Sequence, residues 1–179
     1  MSVWTEGQTV FETNEIGEDG RFAVSTDETR MFTGGDADRK NNKGQPTSVW
    51  NIQTGEKIGD LLPAGSRYYV TAMAISPDNR YAAIATGSTE GIIFLFDLNS
   101  LQKVDEIEAH RGWVSDLKFF PDNRLASADS LEGYVNVWNI SNGQMSLQKK
   151  VDDIVGSYCL LYTSPSPRDR TRARMPSSA

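Results

Sequence analysis

The alternation of apolar and polar positions is clearest over residues 114–140, VSDLKFFPDNRLASADSLEGYVNVWNI. Three short apolar runs, Val114/Leu117/Phe119, Leu125/Ala126 and Val135/Val137/Trp138/Ile140, are separated by turn signals at Pro121-Asp122-Asn123 and Glu132-Gly133. Short alternating runs that end at Pro, Asn, Asp or Gly predict strands, because a strand sends successive side chains to opposite faces and these residues interrupt regular pairing. Residues 114–140 are therefore expected to form three antiparallel strands of a small twisted sheet. One such sheet cannot bury both of its faces, so the unit should recur.

It does recur. Residues 70–80 align on 114–124 without a gap and share the turn Pro-Asp-Asn-Arg, and residues 90–98 fall on 132–140. A fourth strand repeats as well, residues 101–107 against 147–154, the second copy one residue longer. A fainter copy lies upstream, with Ser25-Thr26-Asp27 at the turn and Ser48-Val49-Trp50 in the third strand. Trp50, Phe96 and Trp138 are 46 and 42 residues apart, and four strands at that period predict an all-β chain of propeller blades.

The third repeat resembles the WD-repeat family: Ala109-His110 stands where the family has Gly-His, followed by Phe120-Pro121-Asp122-Asn123, Leu125-Ala126-Ser127 and Val137-Trp138-Asn139 in place of Trp-Asp. The resemblance covers roughly residues 19–156 and implies a partial β-propeller of four-stranded antiparallel blades. Residues 19–62 form a degenerate blade 1 with a long polar loop over 35–47, residues 63–109 blade 2, and residues 110–156 blade 3. Residues 1–18 supply a strand from a neighbouring or closing blade; Ser2-Val3-Trp4 echoes Ser48-Val49-Trp50, and Thr9 to Phe11 is either a closing strand or the tail of a missing one. Propellers have four to eight blades, so the remaining blades are expected from a longer chain. By the resemblance, a buried network of His110, Ser127 and Trp138, with Glu132 or Asp129 in the acidic role, pins blade 3. Blade 2 has Ser66 and Phe96 in place of His and Trp, which leaves it to apolar packing, and blade 1 keeps only Trp50 and Thr33.

Composition adds less. A hydrophobic share of 38% is ordinary for a globular chain. Residues 160–179 are rich in Ser, Pro and Arg and carry no strand pattern after Tyr162, so 157–179 reads as a non-native or disordered basic tail. That tail holds four Arg and one Asp; with a total of −6, the rest of the chain carries −9. An acidic body disfavours sequence-independent nucleic-acid binding and adhesion to anionic membranes. There is no signal peptide pattern and no long apolar run. The single cysteine, Cys159, leaves no intrachain disulfide, which fits a reducing, cytoplasmic compartment.

Candidate chemistry is sparse. His110 is the only histidine, which removes His-based triads and His-rich metal sites from this stretch. Asp36 and Asp38 begin like a calcium loop, but Lys40 stands where a third oxygen ligand is needed. Residues 86–91 lack a phosphate-loop framework. No metal and no cofactor is expected. The leading expectation, implied by the resemblance, is a non-catalytic scaffold that binds protein partners through rim loops, with Arg67, Tyr68, Arg111, Trp113, Asp38, Arg39, Lys40 and Lys43 as candidate contacts. Two alternatives stand beside it: a microtubule- or cilium-associated WD-repeat protein, suggested by the polar loop before Ser48, and the propeller region of a larger enzyme whose catalytic domain lies elsewhere.

Overall fold

The computed structural model describes residues 2–5, 8–12, 20–34, 37–38, 43–44, 46–63, 70–87, 91–129, 131 and 133–152. All its regular elements there are strands: β1 (Ser2–Thr5), β2 (Gln8–Glu12), β3 (Arg21–Val24), β4 (Arg30–Gly34), β5 (Ala37–Asp38), β6 (Lys43–Gly44), β7 (Thr47–Asn51), β8 (Lys57–Leu62), β9 (Val70–Ile75), β10 (Tyr81–Thr86), β11 (Gly91–Asp97), β12 (Gln102–His110), β13 (Val114–Phe119), β14 (Leu125–Asp129), β15 (Val135–Ser141) and β16 (Gln144–Val151). They build three four-stranded antiparallel sheets, β3-β4-β7-β8, β9-β10-β11-β12 and β13-β14-β15-β16, referred to below as blades 1, 2 and 3.

Adjacent faces of these sheets make the cores. Phe32, Val49 and Leu62 of blade 1 pack on Ala82, Ile84, Phe94 and Phe96 of blade 2. On its other face, blade 2 presents Ala83, Ala85, Ile93 and Leu95 to Leu117, Phe119, Leu125 and Trp138 of blade 3. The uninterrupted apolar run Ile92 to Phe96 follows from this, because a strand buried on both faces has no polar side. The first strands β3, β9 and β13 lie side by side, and the fourth strands form the outside.

The hairpins between first and second strands share one serine-capped design in blades 1 and 2, whereas blade 3 has Phe120 at the serine position. Ser25 Oγ donates to Asp27 Oδ1 at 2.6 Å and accepts from Arg30 N, while Ser76 Oγ does the same with Asp78 at 2.6 Å and Tyr81 N. Glu28, Asn79 and Asn123 take the left-handed conformation in these turns. The turns also tie the blades together: Thr26 Oγ1 donates to Pro77 O, Thr26 N to Asn79 Oδ1, and Asn123 Nδ2 to Asp78 Oδ2.

Several details depart from the sequence expectations. The ladder pairs Ile75 with Ala82 but Phe119 with Leu125, so the blade 2 hairpin is one residue longer despite the shared Pro-Asp-Asn-Arg, and Ile84, not Ala83, is the counterpart of Ser127. The fourth strand of blade 3 spans Gln144–Val151 instead of 147–154, because Asn142 and Gly143, at φ 52° and 77°, close a two-residue hairpin of the type that fits strand twist. The loop over 35–47 contains a short ladder, β5 with β6. Residues 9–11 lie in β2, which pairs with β1 in a sheet of its own.

A bulge recurs in each outer strand. The register slips between Val49 and Trp50, between Leu95 and Phe96, and between Val137 and Trp138, and the same slip separates Val3 from Trp4 in the β1–β2 pair. A bulge at each sheet edge twists it away from stray strand pairing. By this register β1 and β2 correspond to the third and fourth strands of a blade.

Candidate functional site

Blade 3 holds the polar centre. His110 ends β12, the outer strand of blade 2, and Ser127 and Trp138 sit on β14 and β15. The ladder places Trp138 opposite Leu125 and Ser127 opposite Asn136, so the indole crosses the sheet diagonally to the hydroxyl. Trp138 Nε1 donates to Ser127 Oγ at 2.9 Å, and His110 Nε2 lies 2.8 Å from the same oxygen. All three residues are buried. One hydroxyl thus serves an indole and an imidazole, and because His110 belongs to the neighbouring sheet, the bond also spans the junction of blades 2 and 3.

Two further residues complete the centre, and neither was singled out from sequence. Tyr134 stacks on His110 with centroids 5.1 Å apart, and Lys150 Nζ lies 3.6 Å from the Tyr134 ring centroid. Asn136 is 4% exposed and donates through Nδ2 to Ala109 O at 2.8 Å. In the sequence it reads as the ordinary polar position of an alternating strand, flanked by Val135 and Val137. Of the two acidic candidates, Asp129 is 1% exposed and its Oδ1 accepts from Gly133 N at 3.2 Å, while Glu132 lies outside the described residues.

Blade 1 repeats the diagonal in reduced form. Met31 pairs with Trp50 and Thr33 with Ser48, which brings Trp50 Nε1 to 2.9 Å from Thr33 Oγ1. In blade 2 the corresponding residues are Phe96 and Ile84, both buried in the core shared with blade 1. Blade 2 thus has neither the indole donor nor the hydroxyl acceptor, so this pair of positions holds no unpaired polar group. Ser66 lies outside the described residues.

Among the candidate contact residues, Arg111 is exposed and Trp113 is 50% exposed, both in the link from β12 to β13. Leu131, from the loop after β14, is 77% exposed, and its side chain lies over Gly112. Sequence reading missed Leu131, because a single Leu in a loop carries no pattern. Asp38 and Lys43 fall in β5 and β6; Arg67, Tyr68, Arg39, Lys40 and the tail over 157–179 lie outside the described residues. Among the described residues no group of three or more His, Cys, Asp or Glu is placed to hold a metal ion.

The opposite rim carries the perturbed carboxylates. The Ser100 N–H, with the Asn99 N–H, the Ser100 hydroxyl and Arg80, holds the Asp97 carboxyl below its ordinary value, and the Ser25 hydroxyl with Thr29 does the same for Asp27. A carboxylate with a depressed folded-state pKa adds stability that is fully present above about pH 4 and is lost as pH falls through the lower folded value. Asp97→Asn keeps a turn acceptor without titrating. It is expected to flatten the decline of the urea midpoint below pH 4 relative to the unaltered protein, and identical pH profiles would contradict this.

The family model for the WD domain, G-beta repeat, matches residues 59–97 and 101–139. Each match runs from the fourth strand of one sheet through the third strand of the next, so the sequence repeat spans a junction between blades. Actin-interacting protein 1-2 of Arabidopsis thaliana is 29% identical over 101 residues, covering 55% of this chain and 16% of that protein. WD repeat domain phosphoinositide-interacting protein 1 of Homo sapiens is 35% identical over 102 residues, covering 54% of this chain and 22% of the relative. The crystal structure of the RRP9 WD40 repeats superposes with a TM-score of 0.60 at 21% identity, over 77% of this chain and 43% of that one. The chain therefore spans less than half the length of each of these proteins. Over residues 59–139 the chain thus carries two WD repeats, matched in register within three four-stranded sheets of the same strand order.

Proposed function

We propose that the chain is part of a non-catalytic scaffold that binds protein segments on the rim formed by the β12–β13 link and the loop after β14. The observation that carries this reading is the pair Trp113 and Leu131. They are two large apolar side chains, 50% and 77% exposed, from separate loops, and Leu131 lies over Gly112, the residue before Trp113. Exposed aromatic and aliphatic side chains on rigid supports act as interface anchors, and here the support is the hydrogen-bonded centre at His110, one residue from Arg111. WD-repeat relatives support protein interaction as the general role. Phe22 and Val24, 57% and 42% exposed, face away from blade 2 at the positions where Leu117 and Phe119 of blade 3 are covered, which suits a further blade on that side.

The test compares proximity labelling around the full chain with that around Trp113→Ala and Leu131→Ser, after circular dichroism has verified the fold of each. Loss of a defined set of labelled proteins in both variants, with retention in the outer-strand control Leu147→Ser, is the expected result. An unchanged set in the rim variants would remove this rim as the binding surface.

A further inference from the structure

Blades 2 and 3 each set one residue from the start of the fourth-strand region against the fourth strand of the blade before: Leu101 from the turn ahead of β12, and Met145 from the first residues of β16. The ladder partners of Trp50, Phe96 and Trp138 are Lys57, Lys103 and Leu147. Two residues before each partner stand Gly55, Leu101 and Met145; two residues after stand Gly59, Asp105 and Lys149. These two sets of positions meet across the junctions, with different chemistry at each. Between blades 1 and 2, Leu101 sits on the bare backbone of Gly59, where an added Cβ would lie 2.8 Å from Leu101 Cδ1. Between blades 2 and 3, the backbone N–H of Met145 donates to Asp105 Oδ2 at 2.6 Å.

Leu101 has φ 56°, in the left-handed region that Gly55 occupies at the same position in blade 1 with φ 73°. A bulky residue is an outlier there, because its Cβ crowds the neighbouring backbone. Such strain persists only where the surroundings over-determine it. The turn itself would accept glycine, as blade 1 shows, so the reason for leucine lies in what its side chain touches. That is Gly59 and the core between blades 1 and 2, against which Leu101 packs.

We propose that Leu101 and Gly59 form a junction-specific key that fixes blade 2 against blade 1 and rejects other pairings. A carboxylate at 59, as in blade 2, would enter the space of the leucine. Leu101 set against Asp105 would cover that carboxylate without giving it an N–H. Blades of similar shape and spacing are prone to misassembly, and discrimination among them needs contacts that penalise the wrong neighbour as well as contacts that reward the right one.

The test moves the side chain from one partner to the other in the full chain, with Gly59→Val and Leu101→Gly made singly and together and followed by thermal unfolding. Each single change is expected to lower Tm by roughly 3 °C or more for a chain of this size. The pair is expected to recover above both singles, since valine fills the gap from the other side while glycine relaxes the turn. A loss in the pair equal to or above the sum of the singles would overturn the proposal. Leu101→Ala gives a second reading: it leaves the strain without the contact, so it should melt below Leu101→Gly. The reverse order would also overturn the proposal.

Discussion

Replacing Trp138 with alanine is expected to lower stability by about 3–5 kcal/mol, as for a large buried aromatic truncation, read from the urea midpoint of the full chain. Two losses combine. The ring is 7% exposed and packs with Leu95, Leu117 and Leu125 in the core between blades 2 and 3. The indole N–H is also one of two groups centred on Ser127 Oγ, so its removal leaves the hydroxyl serving His110 alone. Ser127→Ala should cost about 1–3 kcal/mol, because it strips a partner from two buried groups while removing little volume. The two changes share a network, so the double variant should lose less than the sum of the singles, with a coupling of about 0.5–3 kcal/mol. Strict additivity would show that Trp138 acts through packing alone. Phe96, which fills the same position beside Ile84, supplies the natural comparison: a truncation there removes ring contacts and no hydrogen bond.

The centre of blade 3 was legible through the resemblance, whose His, Ser and Trp positions fall on His110, Ser127 and Trp138. His110 is the only histidine, Trp138 recurs with Trp50 at the repeat spacing, and Ser127 follows a recognisable turn. Asn136 and Tyr134 were not legible, since a polar residue inside an alternating strand and an aromatic at its start both read as ordinary. The register of blade 2 was hidden by the identity of its turn. Pro77-Asp78-Asn79-Arg80 matches Pro121-Asp122-Asn123-Arg124, yet in blade 2 the ladder resumes one residue later: Ser76 N pairs with Tyr81 O, Phe120 N with Arg124 O. Nor do the outer-strand bulges announce themselves, because they lie among Lys, Ile, Val and Gln, which sit equally well in a regular edge. Leu101 is the extreme case. A leucine gives no local sign of a left-handed backbone, and its contact with the preceding blade is what sets this one apart.

The two Glu-Gly pairs at residues 90–91 and 132–133 separate composition from cause most sharply. Gly91 and Gly133 fall on the same repeat position and read alike as turn residues. In the structure they are needed for different reasons. Gly133 has φ +69° and open space around it, so Gly133→Ala meets only the backbone penalty, about 1 kcal/mol. Gly91 starts β11 opposite His110, and a Cβ there would lie 2.2 Å from the carbonyl oxygen of Gly112 and 3.0 Å from His110 Cβ. No rotamer relieves a clash with backbone. Gly91→Ala must therefore displace the segment that carries His110 and Gly112, and it is expected to cost about 3 kcal/mol or more, the upper range for overpacking. Since His110 would move with that segment, the bond to Ser127 should weaken as well, visible as a change in tryptophan fluorescence in Gly91→Ala but not in Gly133→Ala, both made in a Trp113→Phe background so that the neighbouring indole does not contribute. Equal losses in the two variants would mean that the segment after β12 yields freely, and the rim that carries Arg111 and Trp113 would then lose the rigid support assigned to it.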